Sequence, residues 1–296
     1  MPFMASLVKE NGFYYLRHNT RGKDRRRYVG KSIPKDIEER KRSFIKEFYR
    51  EEWDRDIQKI AQNYKRENRG LERSIETKNF EGFGLAFTYN TQRIEGSTLT
   101  ESDTRNLLVH GLTPSKKSPG DTVETQRHYD LFMRLATEKP SKITKAAVLK
   151  WHKEIFGQTR TGETGSFRSH RVGVTTSPGV EFATVREIPG RTREFFSWLN
   201  SEKAGNPVEF AAMAHYKFVS IHPFADGNGR LSRLIMNCVL LQHGCPMMLI
   251  RNRDRAGYFK SLEKSQLADD EMHFLKWFMR YYVKNNQRYL QAPIRL

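Results

Sequence analysis

The stretch His222-Pro-Phe-Ala-Asp-Gly-Asn-Gly-Arg-Leu-Ser-Arg233 stands between two apolar segments. It places a histidine, a carboxylate, two glycines, an asparagine and two arginines in one short turn. Residues 210–221 before it and 231–242 after it have the composition of buried helices. A plain connection between two core helices needs only a cap and a glycine. The polar cluster therefore indicates a functional site.

Each residue type in this stretch suits the binding of a phosphate chain. Gly227 and Gly229 allow backbone N–H groups to converge at the start of the second helix, where the helix dipole favours an anion. Arg230 and Arg233 lie three residues apart on one helix face, and guanidinium groups match phosphate oxygens. Asp226 offers an oxygen ligand for Mg²⁺. The histidine at the start of the stretch is able to exchange a proton near neutral pH.

With every specified position filled, the stretch resembles the signature of the Fic family, His-x-Phe-x-(Asp/Glu)-Gly-Asn-Gly-Arg-x-x-Arg. The resemblance implies a mainly α-helical fold with a β-hairpin flap, and transfer of AMP from ATP to a protein hydroxyl. It implies His222 as the general base and Asp226 as the Mg²⁺ ligand. The nucleotide phosphates would be bound by Gly227, Asn228, Gly229, Arg230 and Arg233. Glycine at 229 favours nucleotidyl transfer, because the phosphotransferase branch of the family has lysine there.

A second, shorter pattern lies upstream of the signature. Thr91 and Glu95 are four residues apart and share a helix face, and Gly96 is a typical helix stop. A glutamate in the last helical turn faces the negative end of the dipole and needs a cationic partner. The pattern resembles the Fic inhibitory motif, (Ser/Thr)-x-x-x-Glu-(Gly/Asn), whose glutamate pairs with the second signature arginine, here Arg233. The alternative is a surface glutamate that pairs with a nearby arginine.

Residues 162–185 predict a β-hairpin, because apolar residues alternate on both sides of a Pro-Gly turn. The alternating residues are Val172, Val174, Val180, Phe182 and Val185. By the resemblance, this hairpin is the flap that docks an extended segment of the target protein through its backbone. A purely structural hairpin is the alternative.

The N-terminal part of the chain has a different composition. Residues 1–35 contain short β-like runs, and residues 17–31 carry seven Lys or Arg against one Asp. They predict a small basic β-rich module that binds nucleic acid through phosphates, without sequence specificity, or has a docking or structural role. A 3.6-residue apolar period then predicts a helical linker over 36–75. The Fic domain would cover 76–296, with the inhibitory helix near 80–96.

The overall composition predicts a soluble, cytoplasmic protein. None of the 296 residues belongs to an apolar run long enough for a membrane span, and the N-terminus has no signal-peptide pattern. Two cysteines cannot form a disulfide framework. The net charge of +18 favours anionic partners.

These patterns together predict an autoinhibited protein adenylyltransferase. It would use MgATP to modify a Ser, Thr or Tyr hydroxyl of a target protein or of itself, and a homo-oligomer is left open. One alternative is removal of AMP from a modified protein at the same site. A non-enzymatic alternative is a nucleic-acid-binding module that senses nucleotide.

Overall fold

The computed structural model describes residues 5–20, 23–160, 162–173, 179–201 and 205–291. These residues form a mainly α-helical fold with a small antiparallel sheet, which confirms the predicted fold class. The elements are β1(Ser6–Glu10), β2(Phe13–Thr20), β3(Lys23–Gly30), α1(Ile37–Glu67), α2(Arg73–Ile94), α3(Glu101–His110), α4(Pro119–Glu138), α5(Lys145–Phe156), α6(Ile188–Leu199), α7(Pro207–Ile221), α8(Asn228–Gln242), α9(Arg255–Ala268) and α10(Met272–Asn285), with short 3₁₀ turns at Asn252–Asp254 and Gln287–Leu290.

The chain divides into two compact units, Met1–Gln58 and Lys59–Leu296, and the division falls within α1. The domain boundaries at 35 and 75 stay predictions. Among the described helices, none has the length and apolar character needed to cross a bilayer.

In the first unit, the three strands form a meander in the order β1-β2-β3. The sequence analysis missed β1, which pairs antiparallel with β2 across a tight turn at Asn11 and Gly12. Both turn residues have positive φ (51° and 84°), as two-residue hairpin turns require. Leu16 and His18 of β2 are buried, and the His18 ring packs against Phe48 of α1 at 4.8 Å between centroids.

Ion pairs occupy four arginines among the described residues of the basic segment. The pairs are Arg17–Asp24, Arg25–Glu51, Arg26–Glu10 and Arg27–Glu47. All eight side chains are at least one third exposed, so each pair adds little stability. Less positive charge is therefore available to phosphates than the sequence suggests. Binding of nucleic acid by residues 17–31 stays a prediction.

In the second unit, α7 and α8 flank the signature turn. Asn206 caps α7, accepting a hydrogen bond from the Val208 N–H (2.9 Å), and α7 ends at His222 in the left-handed conformation (φ 53°). Helix α8 begins after Gly227, which has φ 83°. Twelve of the fifteen residues of α8 are buried, so the turn is fixed by helices that belong to the core.

The described parts of the predicted flap contain no strand. Residues 162–173 and 179–187 lack ladder pairing, and Val174 lies outside the described residues. Arg168 takes the carbonyl groups that a strand partner would use, since its guanidinium donates to the carbonyls of His170 (2.8 Å) and Ala183. The predicted alternation is also incomplete, because Val180 and Ala183 are both buried although an odd spacing would place them on opposite faces of a strand.

Candidate active site

His222 has the neutral tautomer that a general base requires. Its Nδ1–H donates to the Val219 carbonyl (3.2 Å), and because a carbonyl can only accept, the lone pair is on Nε2. Burial lowers the pKa of His222 to about 4, and the nearby Arg168 charge acts in the same direction. The ring is therefore neutral at pH 7 and able to accept a proton at Nε2.

Two side chains from the flap segment hold His222. The Phe182 ring stacks on the imidazole with centroids 3.9 Å apart and planes 19° apart. The buried Arg168 donates from Nε to the His222 carbonyl (2.8 Å). The Phe182 ring thus contacts the candidate base, and its predicted role in docking a target protein stays a prediction. No sequence pattern indicated the role of Arg168.

Asn228 closes the signature turn with its side chain. Its Oδ1 accepts from the Phe224 N–H (2.9 Å) and its Nδ2 donates to the Phe224 carbonyl (2.8 Å). The ring of His152 stacks on Phe224, and its Nε2–H donates to the Asp226 carbonyl (3.2 Å). The Asn228 side chain is therefore engaged within the turn, and its backbone N–H is available to a phosphate.

The first turn of α8 presents uncapped N–H groups. The first helical hydrogen bond runs from the Leu231 N–H to the Gly227 carbonyl (3.0 Å). The N–H groups of Asn228, Gly229 and Arg230 therefore have no helical acceptor, and no side chain of the described residues caps them. This arrangement is a typical anion site.

Arg233 is fully buried and is held by the predicted inhibitory residues. Its Nε donates to Thr91 Oγ1 (2.7 Å) and its Nη2 to Glu95 Oε1 (2.5 Å). Gly96 follows with φ 98°. A side chain at Gly229 would touch the Glu95 carboxylate, so this carboxylate lies against the first turn of α8.

A buried relay behind Arg233 was not predicted. Arg233 Nη1 donates to the Tyr258 hydroxyl (3.2 Å), which in turn donates to His215 Nε2 (2.8 Å). Burial raises the pKa of Tyr258 to about 12 and lowers that of His215 well below its usual value. Both groups are therefore neutral. They orient the guanidinium of Arg233 through hydrogen bonds without neutralising its positive charge.

Arg230 is bound by a carboxylate that the sequence analysis also missed. Its Nη1 donates to Glu124 Oε2 (2.5 Å) and to Gln92 Oε1 (3.1 Å), and its guanidinium lies 4.4 Å from the centre of the Phe156 ring. Its Nε is buried and has no partner among the described residues. Gln92 stands at an unspecified position of the inhibitory motif, and Glu124 lies in no recognisable motif.

Asp226 has the chemistry of a magnesium ligand. Its Oδ1 accepts from the Gly227 N–H (2.5 Å), and its Oδ2 faces Arg160 (2.5 Å) and Arg230 (3.4 Å). Burial acts to raise the pKa of Asp226, but the two guanidinium groups outweigh burial and lower it. No cluster of three His, Cys, Asp or Glu occurs in the described part of the chain. One carboxylate fits Mg²⁺ that takes its remaining ligands from phosphates and water.

A family model for the Fic/DOC family matches residues 142–240, which include the complete signature. This chain carries a Fic domain. The chain is 32% identical over 218 residues to protein adenylyltransferase fic-1 of Caenorhabditis briggsae, over 70% of this chain and 41% of that protein. It is 35% identical over 188 residues to protein adenylyltransferase Fic of Drosophila ananassae, over 61% of this chain and 37% of that protein. The chain thus spans less than half the length of these curated relatives.

Solved structures share the fold. Fic-1 from Caenorhabditis elegans superposes with a TM-score of 0.70 at 25% identity, over 88% of this chain and 78% of that chain. A Fic domain containing signaling protein from Bacteroides thetaiotaomicron gives a TM-score of 0.69 at 26% identity, over 79% and 96%. The likeness extends well beyond the residues matched by the family model.

Proposed function

We propose that this Fic domain is a protein adenylyltransferase that transfers AMP from ATP to a Ser, Thr or Tyr hydroxyl. The observation that carries the proposal is a neutral His222 beside an uncapped helix N-terminus. The carboxylates of Glu95 and Asp226 act on the pKa of His222, so base, inhibitory residue and metal ligand are neighbours. The curated relatives are named for this transfer, which favours it over removal of AMP.

The residues support a direct displacement. The target hydroxyl oxygen attacks the α-phosphorus of ATP while Nε2 of His222 accepts the hydroxyl proton. The bond from the α-phosphorus to its bridging oxygen breaks, and pyrophosphate leaves. The N–H groups of Asn228 and Gly229 stabilise the charge on the phosphate oxygens. Mg²⁺ held by Asp226 would supply further neutralisation of the phosphate charge.

We further propose that Glu95 inhibits the transfer. Its carboxylate occupies the guanidinium of Arg233 that a γ-phosphate would otherwise use, and it lies against Gly229. ATP would then bind with its α-phosphate out of line with the attacking hydroxyl. Misplacement of reacting groups can reduce a rate by about 10²-fold.

The target is proposed to dock beside His222, along Val172, Val180, Phe182 and Val185. Phe182 already lies against the base, so a segment bound there would bring its hydroxyl close to Nε2.

Self-modification and a homo-oligomer remain part of the proposal. The cytoplasmic location predicted from the composition also stays part of the proposal.

Transfer of label from ATP tests the function. ATP labelled at the α-phosphate should label protein in a lysate or the enzyme itself, whereas γ-labelled ATP should not. His222→Ala should lose about 10²- to 10⁴-fold in labelling and keep ATP binding. His243→Ala is the matched control, because His243 also ends a helix and donates from Nδ1 to a carbonyl, that of Val239 (2.8 Å). Equal labelling by wild type and His222→Ala would refute the role of His222, and ATP binding without any labelling would favour nucleotide sensing.

A further inference from the structure

Arg160 occupies the position at Asp226 that a metal ion needs. Its Nη2 lies 2.5 Å from Asp226 Oδ2, and its Nε lies 3.3 Å from Glu124 Oε1. The other oxygen of Asp226 accepts the Gly227 N–H at 2.5 Å. Arg160 lies outside the signature, and no pattern in the sequence connects it with the site.

A guanidinium in close contact with Oδ2 competes with a magnesium ion for this oxygen, because the two cations repel each other. Mg²⁺ binds oxygen at about 2.1 Å and requires near-octahedral coordination with several water molecules. The Arg160 Nη2 fills that space from only slightly further away. Arg230 also faces Oδ2, but at 3.4 Å it leaves more room.

Arg160 is also the group that is able to leave. Its side chain is 43% exposed, whereas that of Arg230 is 5% exposed. Its backbone is fixed by the hydrogen bond from its N–H to the Phe156 carbonyl (3.0 Å), so only the side chain needs to move. After leaving Asp226, the guanidinium keeps a partner in Glu124.

We propose that Arg160 is an exchangeable cation that holds Asp226 in the resting protein and is displaced when a divalent metal binds. This rests on the metal position of the proposed function and adds a second check on activity, separate from Glu95. Arg160 thus sets the metal concentration at which the site becomes competent. It is a positioning residue and takes no part in bond making.

Metal binding without nucleotide tests the exchange. Free Mn²⁺ is measured by electron paramagnetic resonance as Mn²⁺ is added to the wild-type protein and to Arg160→Gln. Loss of an exposed ion pair should tighten Mn²⁺ binding by about two- to fivefold. Arg134→Gln is the matched control, because Arg134 pairs with Glu154 at the same 2.5 Å and is 40% exposed, away from Asp226. The gain in Mn²⁺ affinity should vanish when Asp226→Asn is added to Arg160→Gln.

A second measurement uses the wild-type chain. Phenylglyoxal modifies exposed arginines, and mass spectrometry reports each position. Mn²⁺ should speed modification of Arg160 and leave Arg134 unchanged. The proposal is overturned if Arg160→Gln binds Mn²⁺ no more tightly than wild type, if Arg134→Gln gains as much, or if the gain survives Asp226→Asn. Neither measurement uses AMP transfer, so a protein without transferase activity would refute the proposed function and leave the exchange standing.

Discussion

Three guanidinium groups around the start of α8 each hold a carboxylate of the protein. Arg233 binds Glu95, Arg230 binds Glu124, and Arg160 bridges Glu124 and Asp226. Guanidinium groups bind phosphate as readily as carboxylate. At the scale of single residues, the resting site is therefore filled by internal anions at the places where a nucleotide would bring its own.

Glu95→Gly should raise labelling from ATP by about an order of magnitude or more, since Arg233 becomes available to the γ-phosphate. The same change leaves a fully buried guanidinium without its counter-charge, although Thr91 and Tyr258 still accept from it. Loss of one partner of a buried pair destabilises a protein. The variant should therefore melt at a lower temperature than wild type without nucleotide and recover more stability when ATP is added.

Glu95→Gln is the control for this prediction, because it keeps the shape and hydrogen bonding of the side chain and removes its charge. Its labelling should fall between wild type and Glu95→Gly. The two assays are labelling with α-labelled ATP and thermal melting with and without ATP. Equal labelling by all three proteins would mean that the contact between Glu95 and Arg233 is structural only.

At the scale of elements, local signals in the sequence predicted helix ends well. Thr100 is a typical helix start and Gly111 a typical helix stop, and the structure has a capping box at Thr100 and a left-handed Gly111. Such signals depend on hydrogen bonds between residues three or four apart. The strands of the flap were expected from alternation alone, and there Arg168 took the carbonyl groups instead.

Contacts between distant elements could not be predicted from local patterns. Arg230 and Glu124 are separated by 106 residues, and Arg233 and Tyr258 by 25. No spacing rule links such residues. Nothing in the sequence around Glu124 distinguishes it from other glutamates on helices. The pair of Glu95 and Arg233, 138 residues apart, was expected only because both motifs resemble those of the Fic family.

The junction between the signature turn and α8 depends on a glycine. At Gly227, φ is 83° and a Cβ would collide with the Phe156 ring. Gly227→Ala should therefore combine backbone strain of roughly 1 kcal/mol with an overpacking term of about 1–3 kcal/mol. Gly70→Ala is the matched control, since Gly70 has φ 76° and open space around it. Urea unfolding would measure both, and equal losses would show that Phe156 moves aside.

At the scale of the whole molecule, three buried histidines and the partly exposed His222 share one electrostatic property. They are His128 on α4, His152 on α5, His215 on α7 and His222 at the end of α7. Burial lowers the pKa of His128 to about 3 and those of His152 and His222 to about 4. The pKa of His215 is also well below 6.5, again through burial. All four rings are therefore neutral in the folded protein at any pH near neutrality.

This property predicts a loss of stability in mild acid. In the unfolded chain these rings take up protons near pH 6.5, whereas in the folded chain they stay neutral until pH 4 or below. Their contribution is therefore complete above pH 6.5 and declines as the pH falls toward 4. Each ring should lower the free energy of unfolding by up to about 1.4 kcal/mol per pH unit in that range.

Urea unfolding at pH 7.5, 6.5, 5.5 and 5.0 measures this decline, and His128 allows it to be assigned. His128 is fully buried beside Arg230 and Arg233, whose charges add to the effect of burial on its pKa. His128→Asn should reduce the slope of unfolding free energy against pH by about 1.4 kcal/mol per unit between pH 6 and 5. A wild-type stability that stays level from pH 7.5 to 5.0 would mean that the buried rings accept protons within the folded protein.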